Sequence, residues 1–155
     1  MNTNLSVPIL VIGVGSIGSR HLRNLQYLGY TNLSVADSDK KNLDRARNDF
    51  RVLGNSDWRE ALNATKPEVT FVCVPAHLHI PIALQALAHD SHVFIEKPLS
   101  SRLHRVSELM RISRAKKKLV MIACNYRFHQ GFVSLQITGV ATQVPVALHL
   151  SPVVQ

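Results

Sequence analysis

Short apolar runs alternate with longer stretches of mixed polarity from the N-terminus to about residue 123. Residues 7–12, 33–36, 69–74, 93–95 and 119–123 are rich in Val, Ile and Leu, and several show no alternation of apolar with polar positions. A strand with one wet face alternates, whereas a strand buried on both faces does not. These runs therefore predict a parallel sheet covered by helices on either side.

Between the runs the apolar spacing changes to three and four. Leu22, Leu25 and Leu28 fall on one face of a helix that Gly29 is placed to stop. Leu43, Ala46 and Phe50 mark a second helix beginning near Asp39. Ser56 or Asp57 is placed to cap a third through Ala64, with Glu60 supplying part of a capping pattern. A fourth is expected over residues 81–89, since Pro81 is welcome in a first turn, and a fifth over 101–115 with Leu103, Val106 and Leu109 or Met110 on one side. Repeated strand and helix in this order gives an α/β domain with a doubly wound, mainly parallel sheet.

A length of 155 residues suits one domain with its own core, and 46% hydrophobic with 18% charged residues excludes a disordered chain. The apolar runs fall far short of the ~20 residues of a membrane helix. The N-terminus lacks a basic leader region, and its apolar run enters a glycine turn rather than a cleavage site. The expectation is a cytoplasmic protein with no membrane partner. Cys73 and Cys124 each lie in an apolar stretch, which suits reduced core thiols rather than a disulfide framework or a metal cluster.

The net charge of +8 admits nucleic acid or a small anionic ligand. The dense basic run of Arg111, Arg114, Lys116, Lys117 and Lys118 falls at an expected helix C-terminus, where cations complement the dipole. With no aromatic stacking platform or groove-reading motif beside it, a nucleic-acid role is set aside. Past residue 130 the chemistry changes: residues 131–155 contain none of the 28 Asp, Glu, Lys and Arg residues. Residues 1–129 are therefore assigned to the α/β domain, and 130–155 to an uncharged tail, an atypical or truncated start of a second domain.

Gly13, Gly15 and Gly18 stand in GxGxxG spacing directly after the first expected strand, with Ser16 and Ile17 inside the same turn. In such a turn the first glycine allows the tight bend and the second lets backbone approach a pyrophosphate. The third allows close packing of helix on strand, and the helix N-terminus offers unpaired N–H groups to the phosphates. Glycines also punctuate ordinary turns, but Asp37 stands 19 residues beyond Gly18 at the end of the second strand. There a carboxylate can accept hydrogen bonds from the adenosine ribose and repel a 2′-phosphate, which favours NAD over NADP in a Rossmann domain. Lys40, Lys41 and Arg45 lie close by in sequence; they form the polar face of a helix unless one turns toward the site and softens that preference.

The segments VCVPAHLH, VFIEKPLS and NYRF, together with the glycine turn, closely resemble the glucose-fructose oxidoreductase and inositol dehydrogenase (Gfo/Idh/MocA) family over residues 7–129. The resemblance implies that Glu96, Lys97 and Pro98 border a nicotinamide, with Lys97 hydrogen-bonding the reacting oxygen of the substrate; read alone, they are a charged pair and a strand stop. It also places Cys73, Val74, Pro75 and His79 beside the cofactor, and Asn125 and Arg127 after a sixth strand. His21, in SRHLRNL, is similar to a feature of sugar-modifying members. Asp90 and Ser91 depart from the family, which commonly has glycine there, but Asp tolerates left-handed backbone. Nothing after His129 matches the family's α+β substrate domain.

His77, His89, His92, His104 and His129 lack acidic partners at diagnostic spacing, so no metal site is expected. The resemblance implies an NAD(P)-dependent oxidoreductase that moves a hydride between the nicotinamide and a secondary carbinol or carbonyl of a sugar, polyol or nucleotide sugar. The alternative is a non-catalytic dinucleotide-binding fragment or truncated family member. Assembly into a homo-oligomer is left open.

Overall fold

A computed structural model describes residues 5–102 and 104–124, so Leu103, Asn125, Arg127, His129 and the uncharged tail lie outside the described residues. The chain divides into two units after Ala123, and the first carries every strand and helix that follows.

The strands are β1 (Ile9–Ile12), β2 (Leu33–Ala36), β3 (Leu53–Asn55), β4 (Val69–Val72), β5 (His92–Ile95) and β6 (Val120–Ile122). All pair in parallel, in the order β3-β2-β1-β4-β5-β6. The order reverses between β1 and β4, where the crossovers leave to opposite sides and a crevice opens at the strand C-termini. Side chains of one strand point alternately to the two faces, and in β1 and β2 both faces are buried. Ile9 and Val11 join Leu22, Leu25, Leu43 and Phe50 in one core, while Leu10 and Ile12 join Leu62, Ile80, Leu87 and Leu109 in the other. Double burial is why β1 reads as an unbroken apolar run, and why the one polar residue of β2, Ser34, is buried with its Oγ donating to Ile9 O at 3.2 Å.

Five of the six strands fall where the apolar runs predict them. β3 does not announce itself, because it has three residues including Gly54, pairs only with β2 at the sheet edge, and leaves Leu53 79% exposed.

The helices are α1 (Ser16–Tyr27), α2 (Lys40–Phe50), α3 (Trp58–Thr65), α4 (His79–Ala88) and α5 (Val106–Lys116). Asp39 caps α2 by accepting the Lys41 N–H at 2.8 Å, and Asp57 caps α3 by accepting that of Arg59 at 2.8 Å. The expected return bond from Glu60 is not made: the Asp57 N–H donates instead to Asn55 Oδ1 at 2.8 Å, and Asn55 Nδ2 donates to Glu60 Oε2 at 3.3 Å. Leu28 is exposed rather than part of the α1 stripe, as it ends the helix before Gly29 turns with φ +91°.

α4 begins at His79, two residues before Pro81, which sits in its first turn. α5 begins five residues later than Ser101. Serines favour local turns over helix interiors, and Ser100 Oγ accepts the Arg102 N–H at 3.2 Å while Arg105 takes φ +62° just before the helix. Asp90 adopts the left-handed backbone expected of it, φ +59°. Lys116 donates to Asp90 Oδ1 at 3.0 Å and to Ala88 O at 2.9 Å, which draws the Asp90 carboxyl below the usual carboxylate range. Among the described residues no helix is long and apolar enough to cross a membrane.

Candidate functional site

β1 delivers the glycine turn to the point where strand order reverses. Gly13 bends with φ +85°, and a Cβ there would lie 2.6 Å from the Cys73 carbonyl oxygen. Gly18 packs so closely that a Cβ would collide with the Gly13 carbonyl oxygen. Gly15 is different, for a Cβ there would meet nothing within 4 Å. Gly15 is also the N-cap of α1 and makes no side-chain cap bond, while Ser16 and Ile17 lie exposed in the first turn. The helix end thus presents free N–H groups to open space, the arrangement an anion requires.

Asp37, at the end of β2, borders the same space. Its Oδ2 accepts the Val14 N–H at 2.8 Å, and its Oδ1 accepts the Asp39 N–H at 2.8 Å. Arg45 is the basic neighbour that turns inward, its Nη2 donating to Asn42 Oδ1 at 3.1 Å and to Val14 O at 3.4 Å. Lys40 and Lys41 remain exposed.

Gly13, Gly15, Asp37 and Asn42 border a cleft of about 510 Å³ that also takes in Cys73, Val74 and Pro75. Its far wall contains residues that sequence reasoning missed: Ser38, Leu78, Trp58 and Arg59. Trp58 packs against the core, and the Arg59 guanidinium lies 4.2 Å over its ring. The available signal was an aromatic residue directly after a helix cap. Trp58 and Arg59 open α3, which follows directly on β3. Cys73 is half-buried, and burial, aided by the negative charge of Glu96, pushes its thiol up to about 12. Cys124 is exposed rather than a core thiol.

His79 does not line the cleft. It is 1% exposed, with Nδ1 2.9 Å from Pro98 O and Nε2 2.7 Å from Val74 O, so it spans the loops after β4 and β5 from beneath. Both partners are backbone carbonyl oxygens, one from each loop.

Glu96 follows β5, its N–H donating to Val72 O at 2.9 Å. Its carboxylate turns toward α1, where Oε1 lies 2.6 Å from His21 Nε2; Oε2 accepts the Lys97 N–H at 3.1 Å. Lys97 is exposed, and its bond to Pro98 is cis. Arg127 lies outside the described residues, as does Asn125.

Residues 7–124 match the family model GFO_IDH_MocA, an oxidoreductase family with an NAD-binding Rossmann fold. Inositol 2-dehydrogenase of Salmonella typhimurium is 27% identical over 81% of the chain and 39% of its own length. Myo-inositol 2-dehydrogenase of Thermotoga maritima is 29% identical over 81% of the chain and 38% of its own length. Among solved structures, the WlbA dehydrogenase of Chromobacterium violaceum, crystallised with NADH and UDP-GlcNAcA, superposes with a TM-score of 0.77 at 22% identity, covering 91% of this chain and 41% of that one. The chain therefore spans about two fifths of the length of these relatives.

Proposed function

The chain belongs to the Gfo/Idh/MocA oxidoreductase family through its NAD-binding Rossmann domain, and from that premise we propose that it binds NAD between β1 and β4 as the cofactor half of a dehydrogenase. The substrate class is a secondary carbinol or carbonyl of a sugar, polyol or nucleotide sugar. The observation that carries the reading is the open face at Gly15, before the uncapped end of α1 and in one cleft with Asp37.

In this reading the N–H groups at Ser16 and Ile17 take the pyrophosphate, Gly13 and Gly18 set the backbone for it, and Asp37 accepts the ribose hydroxyls. Val74 and Pro75 flank the cofactor, with Cys73 a neutral thiol beside it. A bound nicotinamide supplies hydride exchange. Lys97 holds the substrate oxygen, where an ammonium stabilises developing alkoxide charge and can exchange its proton, and Glu96 fixes the loop that carries it. The charge of Asp37 disfavours a 2′-phosphate, while the inward turn of Arg45 tempers that bias. The names of the inositol dehydrogenase relatives and the nucleotide sugar in the related crystal structure support the substrate class.

Trp58 is the single tryptophan of the chain and lines the cleft, so an NADH titration can be followed by quenching of its emission. Saturable quenching is expected, and absence of binding overturns the reading. A second reading, a domain that binds dinucleotide without turnover, is favoured by the uncharged residues 131–155. Binding with no turnover across a panel of polyols and sugars would select it.

A further inference from the structure

Helix α1 and the loop after β5 are 75 residues apart at the closest pair that joins them, His21 and Glu96. The His21 ring sits 5.5 Å from Phe71 on β4 and 5.2 Å from Phe94 on β5, and those two rings lie 4.7 Å apart. The aromatic pair leaves the imidazole little freedom to tilt. Its Nε2 points at Glu96 Oε1, and the two side chains are only 20% and 16% exposed. Water therefore competes weakly, and a hydrogen bond to a charged group in such a setting is among the stronger ones.

The carboxylate is used from both ends. While His21 holds Oε1, Oε2 accepts the backbone N–H of Lys97. Release of Glu96 would leave the Lys97 amide without this acceptor and free the loop to re-orient. None of the residues lining the cleft is His21, so its effect on the site runs through Glu96.

We propose that His21 is a positioning residue for Lys97: through Glu96 it locks the lysine loop to the same helix whose N-terminus faces the pyrophosphate site. The inference rests on the oxidoreductase reading for the importance of Lys97, but the lock itself is a property of these side chains. One rigid connection then sets the distance between the phosphate anchor and the group that holds the substrate oxygen.

The test is amide hydrogen exchange by NMR on the full chain, comparing His21→Phe, which keeps an aromatic ring against Phe71 and Phe94, with His21→Gln, whose side-chain amide can still donate to Glu96. In His21→Phe the Lys97 amide is expected to exchange at least tenfold faster and its resonance to move, while the Cys73 amide, bonded to Ile12 O in the sheet, keeps its protection. His21→Gln restores the Lys97 signal. A purely packing role for the ring predicts the reverse order, with Phe benign and Gln disruptive, and would overturn the proposal, as would unchanged Lys97 exchange in His21→Phe. If His21→Phe does not fold, His21→Leu, which keeps an apolar side chain against Phe71 and Phe94 but cannot hydrogen-bond Glu96, is held to the same outcome. Binding of ADP-ribose, which fills the pyrophosphate site without a nicotinamide ring, is measured alongside by calorimetry. Its absence in the unsubstituted chain sinks the cofactor reading and leaves the lock to be judged on exchange alone.

Discussion

The Val14 amide donates to the Asp37 carboxylate across 2.8 Å, so the residue proposed to face the ribose also fastens the glycine turn. Asp37→Ala removes both functions. NAD affinity is expected to fall at least tenfold, in line with ~1–3 kcal/mol for a charged hydrogen bond, while the NADP to NAD ratio rises because the repulsive charge is gone. Paired titrations with the two cofactors measure this, and an unchanged ratio removes Asp37 from the ribose role.

The glycines separate by what surrounds them. Gly18→Ala forces a methyl group into the Gly13 carbonyl, and overpacking against backbone is expected to destabilise the fold by ~3 kcal/mol or more. Gly15→Ala meets no atom within 4 Å and should lose under ~1 kcal/mol by thermal melting. It nevertheless places a methyl group where the pyrophosphate would lie, so NADH binding is expected to collapse in a protein that remains folded.

The raised thiol of Cys73 makes stability fall with alkali. The native chain keeps this proton to about pH 12, while the unfolded chain, with an ordinary value of 9.0, releases it earlier. Between those limits the folded state binds more protons, so stability declines as pH rises, by at most ~1.4 kcal/mol per pH unit from this group. Denaturant midpoints at pH 8.5 and 10.5 should differ less in Cys73→Ala than in the unsubstituted chain. At pH 8 an alkylating reagent is expected to modify exposed Cys124 well before Cys73.

Replacing His79 by Leu leaves the Val74 and Pro98 carbonyls without their buried partner. Two lost hydrogen bonds and the desolvated acceptors put the cost at ~2–4 kcal/mol. The measurement is a urea midpoint. A shift of under ~0.5 kcal/mol would show that the two loops hold their course without it.

What was legible in the sequence follows from what was locally encoded. β1 declares itself because burial on both sheet faces removes polar alternation, and the start of α2 near Asp39 and of α3 at Ser56 or Asp57 because a short polar side chain before a helix has a favoured use. β3 was illegible, since an edge strand of three residues has neither a run nor a period. With it went the cleft wall of Trp58 and Arg59, since α3 follows directly on β3. The glycine turn and Asp37 were found by spacing, and the structure brings them into one cleft. His79 and His21 could be singled out, but not their partners, which lie 5, 19 and 75 residues away across the fold.

Asn55 ends β3 and, by accepting the Asp57 N–H, also closes the entry to α3. The wall holding Trp58 is therefore tied at its entry to the outermost rung of the sheet, while Ala61 and Leu62 anchor its helix in the core. Opening that rung would loosen the entry to α3 at one side of the cleft while leaving the other five strands paired. A dinucleotide resting against the wall would have to be released first, so its binding energy becomes protection of the sheet edge, growing with the logarithm of its concentration.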